Sequence, residues 1–364
     1  MKVNIKYLSL ALLIFCTVGA HAQKQVTVAF WNVENLYDTK NDSTIDDEEF
    51  LPEAKNQWTE ERYKTKLARL TEIISGMGEK GPDFLGVAEI ENRKVLTDLA
   101  ASLEPVTGPY QIVHYNSPDR RGIDVGFFYK PEFYTVVSSH NFPIHMPDDT
   151  AFRTRDILMV RVIKKAAKKD KAKAKQKTAK GKMSADVAAA RFGQDTITFF
   201  VCHWPSRRGG EKESEPKRVF VANEVRKQAD KLLAVNPDSK IIIMGDLNDE
   251  PNNISVTQSL KAVSSPDSLA PGRFFDIMGP LKAQGQGSYY FKGEFNMIDN
   301  IILSDGLLKS GPGLKYVTNS SAIYKTEKSQ EASGKYAGSP LRTYVGPNYK
   351  GGYSDHFPVY FRMK

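Results

Sequence analysis

Cysteine is nearly absent from this 364-residue chain, which contains only Cys16 and Cys202. Cys16 lies in an N-terminal apolar run that we expect to be removed, so Cys202 has no partner for an internal disulfide in the mature chain. The six histidines do not combine with cysteines at the close spacing of zinc ligands, which disfavours a zinc site. The fold must therefore be held by an apolar core, and its chemistry must rest on oxygen ligands and separate histidines.

The chain also begins without a hydrophobic run long enough for a stable membrane span. Its apolar stretch, residues 8–18, is shorter than the roughly 20 residues that a bilayer requires. Lys2 and Lys6 precede the stretch and a small-x-small motif ends at Ala22, which is the pattern of an export signal. We therefore expect a signal peptide over residues 1–22 and a secreted or periplasmic mature chain.

Positive charge is concentrated in one segment rather than spread over the chain. Residues 164–186 contain ten lysines against two aspartates, a surplus as large as the net charge of +8 for the whole chain. The remainder is close to neutral, whereas nucleic-acid-binding surfaces are normally basic. Lysine and alanine without an apolar stripe predict a flexible, solvated insertion at about 164–192. The insertion is either an inert loop or a weak attachment to an acidic polymer or anionic surface.

Short apolar runs rich in β-branched and aromatic residues recur along the chain and predict β-strands. They cover residues 26–31, 83–90, 124–129, 156–163, 195–204, 240–248, 297–304 and 356–361. Helical spacing of apolar residues predicts one helix from Thr59 to about Gly76 and a second between residues 215 and 235. This alternation favours a layered α/β sandwich, and a chain of this size can bury a single core, so we expect one domain over 23–364.

Two of these strands carry polar side chains where they end. Asn32 and Glu34 are two residues apart in FWNVEN, so on a strand they share a face. Glu89 ends the buried run of GVAEIEN, where an unpaired charge is strongly disfavoured. A divalent cation would compensate that charge, which makes these residues candidate metal ligands.

A third strand ends in a histidine and continues into a basic loop. His203 in FVCHWPSRRGG is followed by Ser206, Arg207 and Arg208, and guanidinium groups match phosphate oxygens in shape. Adjacent strand residues point to opposite faces, so Cys202 does not share the face of His203 and thiol catalysis is disfavoured. The pattern predicts a phosphate-binding loop at this strand end.

The remaining strand ends add three carboxylates, an amide and a second histidine. Asp246 and Asn248 follow the apolar run of IIIMGDLN, where a carboxylate can orient or deprotonate water and an amide can donate to an oxyanion. Asp299 lies in MIDNIIL, and Asp355 and His356 are adjacent in YSDHFPV. An Asp-His pair is ordinary turn chemistry by itself, so its significance depends on the other strand ends.

The ordered motifs WNVEN, AEIEN, CHWPS, GDLN, MIDNIIL and SDHFPV resemble the endonuclease/exonuclease/phosphatase superfamily, the DNase I-like phosphoesterases. The resemblance covers the mature chain except the lysine-rich insertion. It implies a four-layer α/β/β/α sandwich of two packed mixed sheets flanked by helices, with the site at one edge. It also implies phosphoester hydrolysis with Mg²⁺, or with Mn²⁺ or Ca²⁺ as alternatives.

The resemblance further implies a role for each motif residue in metal binding. Glu89 is then the main metal carboxylate, supported by Asn32, Glu34 and Asp355. The family often has aspartate at the position of Glu34, so its longer side chain leaves direct coordination open. Mg²⁺ prefers oxygen ligands and keeps several waters, so one or two carboxylates are sufficient.

For catalysis, the resemblance implies that Asp246 and Asn248 position the water and the phosphate. It implies that His356 faces the scissile phosphate and that Asp299 orients its ring, which would present a defined nitrogen to the substrate. His203 matches the histidine of the DNase I and phosphatase branches, where abasic-site endonucleases usually have tyrosine. An abasic-site repair enzyme is therefore disfavoured.

Three functions remain open from the sequence. The leading expectation is a secreted, monomeric endonuclease that hydrolyses DNA, with RNA as a further substrate. The alternative is a phosphatase or phosphodiesterase on a sugar phosphate, inositol phosphate or phospholipid head group, which would tolerate the acidic segment 37–58 better than a duplex would. A non-catalytic polyanion-binding relative would be favoured by loss of a central motif residue, and none is missing.

Overall fold

The computed structural model describes residues 25–165 and 195–364. The export signal predicted over residues 1–22 and nearly all of the insertion predicted at about 164–192 lie outside these residues. Within the described ranges, no helix is both long enough and apolar enough to cross a membrane.

Six strands form the first large sheet: β1 (Val26–Leu36), β2 (Phe84–Ile90), β3 (Gln111–His114), β4 (Asp124–Tyr129), β14 (Ala322–Ile323) and β17 (Val359–Met363). Their spatial order is β14-β17-β1-β2-β4-β3. Strand β1 is parallel to β2 and antiparallel to β17. The carboxyl ends of β1 and β2 therefore lie at the same edge as the amino end of β17.

Seven strands form the second large sheet: β5 (Tyr134–Phe142), β6 (Ile157–Lys164), β7 (Thr196–His203), β8 (Lys240–Asp246), β9 (Ala262–Val263), β10 (Phe274–Asp276) and β13 (Asp299–Leu303). Their order is β5-β6-β7-β8-β13-β10-β9. Strand β7 is parallel to β8, which is antiparallel to β13. The carboxyl ends of β7 and β8 and the amino end of β13 therefore share one edge.

Among the described residues, three long helices and two short ones pack against the sheets. They are α1 (Glu60–Gly76), α2 (Arg93–Thr107), α3 (Glu211–Val235), α4 (Gly279–Ala283) and α5 (Asp305–Leu308). Apolar residues of α1 and α2 are buried with one face of the first sheet, and those of α3 with one face of the second. A third apolar cluster joins the facing sides of the two sheets. This arrangement confirms the predicted α/β/β/α layers.

Short elements complete the described chain. Two hairpins pair β11 (Tyr289–Phe291) with β12 (Glu294–Asn296) and β15 (Tyr344–Val345) with β16 (Asn348–Tyr349). Single helical turns occupy Glu48–Phe50, Ser255–Ser259, Pro266–Ser268, Glu327–Ser329 and Gly334–Tyr336. Both hairpins belong to the long connections that surround the strand ends.

The structure contains elements that the sequence pattern did not predict, including strands β3 and β5. Every predicted strand overlaps an observed one, and the Thr59 side chain caps α1 by accepting a hydrogen bond from the Arg62 amide. Helix α3 begins at Glu211, four residues before the predicted start at Glu215. Pro216 therefore lies inside the helix, although proline is most frequent at the first helical position. Helix α2 was not predicted, although Asn92 caps it and its leucines have helical spacing.

Candidate active site

Three predicted residues form one row across the second sheet. His203 pairs in register with Asp246 across β7 and β8, and Asp246 pairs with Asp299 across β8 and β13. Residues opposite each other on neighbouring strands point to the same face. All three side chains are buried, so strand register alone brings a histidine and two carboxylates together at this edge.

The first sheet meets this row from the other side. The Asn32 side-chain amide donates to Asp246 Oδ2 at 3.0 Å. The Trp31 indole donates to the His356 carbonyl at 2.9 Å, and the Ser354 hydroxyl donates to the Asn32 carbonyl at 2.6 Å. These bonds fix the end of β1 and the segment before β17 against the second sheet, so residues from both ends of the chain share one site.

His356, in the segment before β17, is held by Asp299 of this row. His356 Nδ1 lies 2.6 Å from Asp299 Oδ2, which also accepts a hydrogen bond from the Ser288 hydroxyl at 2.5 Å. The His356 Nε2 atom then faces Asp246 Oδ2 and Asp355 Oδ1, each at 3.8 Å. Burial opposes charge on the ring, but the surrounding carboxylates outweigh burial and raise its pKa well above the usual value.

His203 has the opposite electrostatic environment. Burial, together with the charges of Arg155 and Arg121, lowers the pKa of His203 well below its usual value. Its Nε2 atom lies 3.6 Å from Asp246 Oδ2 and 4.0 Å from Glu89 Oε1. Among the described residues, its Nδ1 atom has no hydrogen-bond partner. The site thus contains one neutral and one charged imidazole on either side of Asp246.

Asp246 lies at the centre of the site and is held from several directions. Burial, reinforced by the charge of Asp299, raises the pKa of Asp246 to about 7, although His356 and the Asn32 hydrogen bond act in the opposite direction. The Asn248 amide donates to Asp246 Oδ1 at 2.9 Å. Asn248 has a φ of 50°, and its side chain donates to the Trp204 carbonyl at 3.0 Å, so this turn is held in an uncommon conformation.

Glu89, the residue before the last of β2, has a similarly uncommon backbone conformation. Its φ is 61°, and its Oε2 atom accepts a hydrogen bond from the Asn35 amide at 3.0 Å. The chain changes register between β1 and β2 at this point, and Asn35 itself has a φ of 51°. The strained turns of the two strands therefore direct the Glu89 carboxylate into the space that His203 faces.

Glu34 and Asp355 share the Arg342 guanidinium, and Glu34 also lies beside Lys66. Glu34 Oε2 accepts a hydrogen bond from the Thr343 amide at 2.6 Å and lies 3.9 Å from Lys66 Nζ. Arg342 donates to Asp355 Oδ2 at 2.7 Å. Burial, together with the charge of Asp355, raises the pKa of Glu34 to about 7, whereas burial lowers the pKa of Lys66 to about 8.

The donor set fits a hard divalent cation. Glu89, Glu34 and Asp355 supply carboxylate oxygens and Asn32 supplies an amide oxygen, which are the ligands that Mg²⁺ prefers. Burial and, after it, repulsion by Asp355 raise the pKa of Glu34, and a bound cation would oppose both effects.

Among the described residues, one group of carboxylates and histidines is close enough to hold a metal ion. Asp246, Asp299 and His356 each offer a ligand atom, and these atoms lie within 4.8 Å of one another. However, His356 Nδ1 and Asp299 Oδ2 are already joined at 2.6 Å, so we interpret this group as a hydrogen-bonded catalytic cluster.

The basic loop after β7 contacts residues outside this cluster. The Arg207 guanidinium donates to the Asn248 carbonyl at 2.6 Å and lies 3.2 Å from Glu211 Oε2. Ser206 and Arg208 are exposed. These contacts favour a role for Arg207 in holding the turn that carries Asn248, while phosphate binding by Ser206, Arg207 and Arg208 stays a prediction.

Several residues that support the site were missed in the sequence. Arg155 is buried and donates to the His203 carbonyl at 3.1 Å, although it precedes a strand without any motif. Ser288 and Arg342 contact Asp299 and Asp355 from the connections before β13 and β17, and Lys66 contacts Glu34 from helix α1. No local sequence pattern distinguishes Arg155 or Arg342 from other arginines of the chain.

Cys202 is placed as strand alternation predicts. Its side chain is packed with α3 in the apolar cluster behind the second sheet, away from the face of His203. Burial raises the pKa of its thiol to about 12. Because the thiolate is the nucleophilic form of cysteine, this position disfavours thiol catalysis.

The fold and the site now allow comparison with known proteins. The sequence profile of the Endonuclease/Exonuclease/phosphatase family matches residues 27–171 and 162–364. No curated protein matches the chain. Similar solved structures include humanized TDP2 of D. rerio, with a TM-score of 0.51, 13% identity and coverage of 93% of this chain and 99% of that one.

A second structure of similar fold comes from a bacterium. It is an endonuclease/exonuclease/phosphatase family protein from Bacteroides thetaiotaomicron, with a TM-score of 0.50, 15% identity and coverage of 93% of this chain and 97% of that one. At this identity the structures show the fold alone, whereas the family profile extends over almost the whole described chain. The chain therefore belongs to the endonuclease/exonuclease/phosphatase family.

Proposed function

We propose that the chain is an exported, divalent-metal-dependent nuclease that hydrolyses phosphodiester bonds of DNA or RNA. Members of its family hydrolyse phosphoesters and generally use divalent metal ions. The proposal of export rests on the signal predicted over residues 1–22, which lies outside the described residues.

The observation that carries the proposal is the convergence of two imidazoles on Asp246. The Nε2 atoms of His203 and His356 lie 3.6 and 3.8 Å from Asp246 Oδ2. A phosphate that enters this space would meet both ring nitrogens, and the Asp246 carboxylate would orient the attacking water and accept its proton. His356, held by Asp299, would stabilise charge on the phosphoryl oxygens.

The proposed metal ligands are mainly carboxylates that lie next to His203 and His356. Glu89 and Asp355 would hold the ion, with Asn32 and Glu34 next to them. When bound, Mg²⁺ or Mn²⁺ withdraws charge from the phosphoryl oxygens. The chain itself would supply the orientation: the Asn35 amide fixes Glu89, and Arg342 fixes Asp355.

A polynucleotide is the preferred substrate because cations surround the open side of the site. Arg342 is beside Asp355, and Lys292 and Lys335 line the same cleft about 600 Å³ in volume. The predicted insertion adds ten lysines that could attract a polyanion. Phosphate groups on both sides of a scissile bond would use such cations, whereas a single small phosphate ester would not need them.

A phosphatase or phosphodiesterase for small esters is the second candidate, and one observation favours it. Glu49, from the acidic segment 37–58, lines the same recess as Glu34. Negative charge on this side of the site would repel a long polyanion more than a sugar phosphate or a phospholipid head group. A polyanion-binding relative without activity is disfavoured because the catalytic cluster is complete.

A parallel substrate panel tests the proposal. The purified chain would be incubated with Mg²⁺ or Mn²⁺ and plasmid DNA, RNA, sugar phosphates, inositol phosphates or phospholipids, with EDTA in matched samples. We expect EDTA-sensitive nicking of the plasmid. Intact nucleic acid together with release of phosphate or head group would assign the site to the second candidate.

A further inference from the structure

A cleft next to the catalytic histidine has aromatic walls that phosphate hydrolysis itself does not require. Its volume is about 600 Å³, and its lining includes Tyr289, Phe291, Tyr336, Arg342 and Asp355. We propose that this aromatic cleft binds unstacked bases of a single-stranded polynucleotide next to the scissile phosphate. The inference rests on the proposed nuclease function and defines its substrate class further.

The inner end of the cleft is joined to the catalytic cluster by ring contacts. The Tyr289 ring packs against the His356 ring in a tilted arrangement, with centroids 4.7 Å apart and planes inclined by 32°. Tyr289 and Phe291 are two residues apart on β11 and therefore share a face. Their centroids are 6.2 Å apart and their planes differ by only 19°, so the two rings form a continuous strip that leads outward from His356.

Two aromatic side chains of the cleft are unusually exposed to solvent. Phe291 is 51% exposed and Tyr336 is 47% exposed, and both line the cleft. Lys292 Nζ lies 5.3 Å from the Phe291 ring centroid, and Lys335 Nζ lies 4.8 Å from that of Tyr336. Exposed rings accompanied by lysines are the combination that single-stranded nucleic-acid sites use, because rings stack on bases and cations attract the backbone.

The charges of the cleft also suit a chain of phosphates. Lys292, Lys335 and Arg342 outnumber the carboxylates of Glu331 and Asp355 in its lining. Arg342 is already bonded to Asp355, so the two lysines at the outer end are the cations closest to the exposed rings. A backbone that leaves the catalytic cluster along the rings would therefore approach positive charge.

Stacking on ring faces selects for a single strand. In a duplex, each base presents only its edges in the grooves, and its faces become accessible only when the base leaves the stack, which costs a few kcal/mol. A single strand offers its base faces without that cost. Sugar rings can also pack on aromatic faces, so a sugar phosphate is the competing occupant that an experiment must separate.

Binding without turnover tests the cleft directly. In EDTA, fluorescence anisotropy of a labelled eight-residue oligothymidylate would be compared with that of an abasic oligomer of equal length and charge. We expect Phe291→Ala and Tyr336→Ala each to weaken thymidylate binding about tenfold, and the abasic oligomer to change by less than about twofold. Phe291→Tyr and Tyr336→Phe retain the rings and should bind as the wild type does.

Three results would overturn the inference. One is equal weakening of the thymidylate and abasic oligomers, which would indicate loss of backbone contacts only. Another is unchanged thymidylate binding in both alanine variants. If the same variants raise the KM for a sugar phosphate, the cleft binds a sugar ring and not a base. The third is the same ring dependence for a hairpin duplex.

The nuclease proposal can fail separately from this inference. A chain that prefers base-bearing strands but leaves plasmid and oligonucleotide intact would refute nuclease function and retain the base-binding cleft. A chain that cleaves plasmid but binds base-bearing and abasic strands equally would retain nuclease function and refute the base-binding cleft.

Discussion

At the scale of single residues, the two histidines differ because their neighbours differ. His356 is hydrogen-bonded to Asp299 and surrounded by carboxylates, which favour its charged form. His203 is buried near Arg155 and Arg121, which favour its neutral form. A charged imidazole can stabilise a developing oxyanion, while a neutral one can donate through a single N–H, so each ring suits a different oxygen of the phosphate.

The first prediction concerns the group that holds His356. Asp299→Asn retains the shape of the side chain but removes the charge that orients the imidazole, so kcat should fall by about 10²- to 10⁴-fold, the range for loss of acid-base catalysis. The thermal midpoint would verify folding. Asp267→Asn, at an exposed position, is the matched control and should leave kcat unchanged. Wild-type kcat in Asp299→Asn would remove Asp299 from the positioning role.

The second prediction concerns the metal carboxylate. Glu89→Gln can still accept the hydrogen bond from the Asn35 amide but loses its charge. We expect the Mg²⁺ concentration for half-maximal activity to rise at least about tenfold, comparable to changes seen when groups around metal ligands are altered. The measurement is a Mg²⁺ titration beside Glu132→Gln, an exposed control. An unchanged Mg²⁺ requirement would show that Glu89 does not bind the metal.

At the scale of elements, register and strand direction produce the site. The carboxyl ends of β7 and β8 and the amino end of β13 place three side chains in one row. The first sheet adds the ends of β1 and β2, where positive φ values turn Glu34 and Glu89 out of the regular pleat. The elements therefore fix the catalytic row firmly, and the strained turns position the proposed metal ligands.

Strand β10 provides a prediction on stability and pH. Asp276 is fully buried, and burial raises its pKa to about 7. The native state therefore keeps a proton that the unfolded chain loses near pH 4. Stability should fall as pH rises between about 4 and 7, by up to about 1.4 kcal/mol per pH unit, and the slope should vanish above pH 7.

Asp276→Asn isolates this effect because its side-chain oxygen can still accept the hydrogen bond from the Met278 amide. The free energy of unfolding, measured by urea titration from pH 4.5 to 8, should show an advantage of the variant that grows up to about pH 7 and then stays constant. A constant difference at every pH would mean that Asp276 has an ordinary pKa.

The connection between β6 and β7 gives a further prediction. Ile163 and Thr196 are paired in register, so the strands can be joined by a short turn when residues 166–194 are replaced by a glycine-serine linker. Hydrolysis of a short oligonucleotide should keep its kcat, because β7 begins at Thr196 beside this connection and carries His203 at its opposite end. A folded but inactive replacement would show that the segment contributes to the site.

At the scale of the whole molecule, residues from Asn32 to His356 meet because both sheets present equivalent edges at one end of the sandwich. The strand ends could be predicted from short apolar runs followed by polar residues, and this pattern located the row of His203, Asp246 and Asp299. Arg155 and Ser288 could not be predicted. Their contacts depend on how distant connections pack, which leaves no periodic signal in the sequence.

Charge distribution is also a property of the whole molecule. The described body is nearly neutral, and the surplus of lysine lies in residues 164–186. Replacement of residues 166–194 should therefore weaken DNA binding and reduce its dependence on salt, since fewer counterions are released. The slope of log Kd against log salt concentration checks this expectation, and an identical slope would contradict attachment through the lysines.

The central claim is that this edge is a metal-dependent phosphodiesterase site. The most direct measurement is conversion of supercoiled plasmid to nicked plasmid by the wild-type chain and by folded His356→Ala, each with Mg²⁺ and with EDTA. The account predicts nicking by the wild type with Mg²⁺ only. Equal nicking by His356→Ala, or nicking that persists in EDTA, would contradict it.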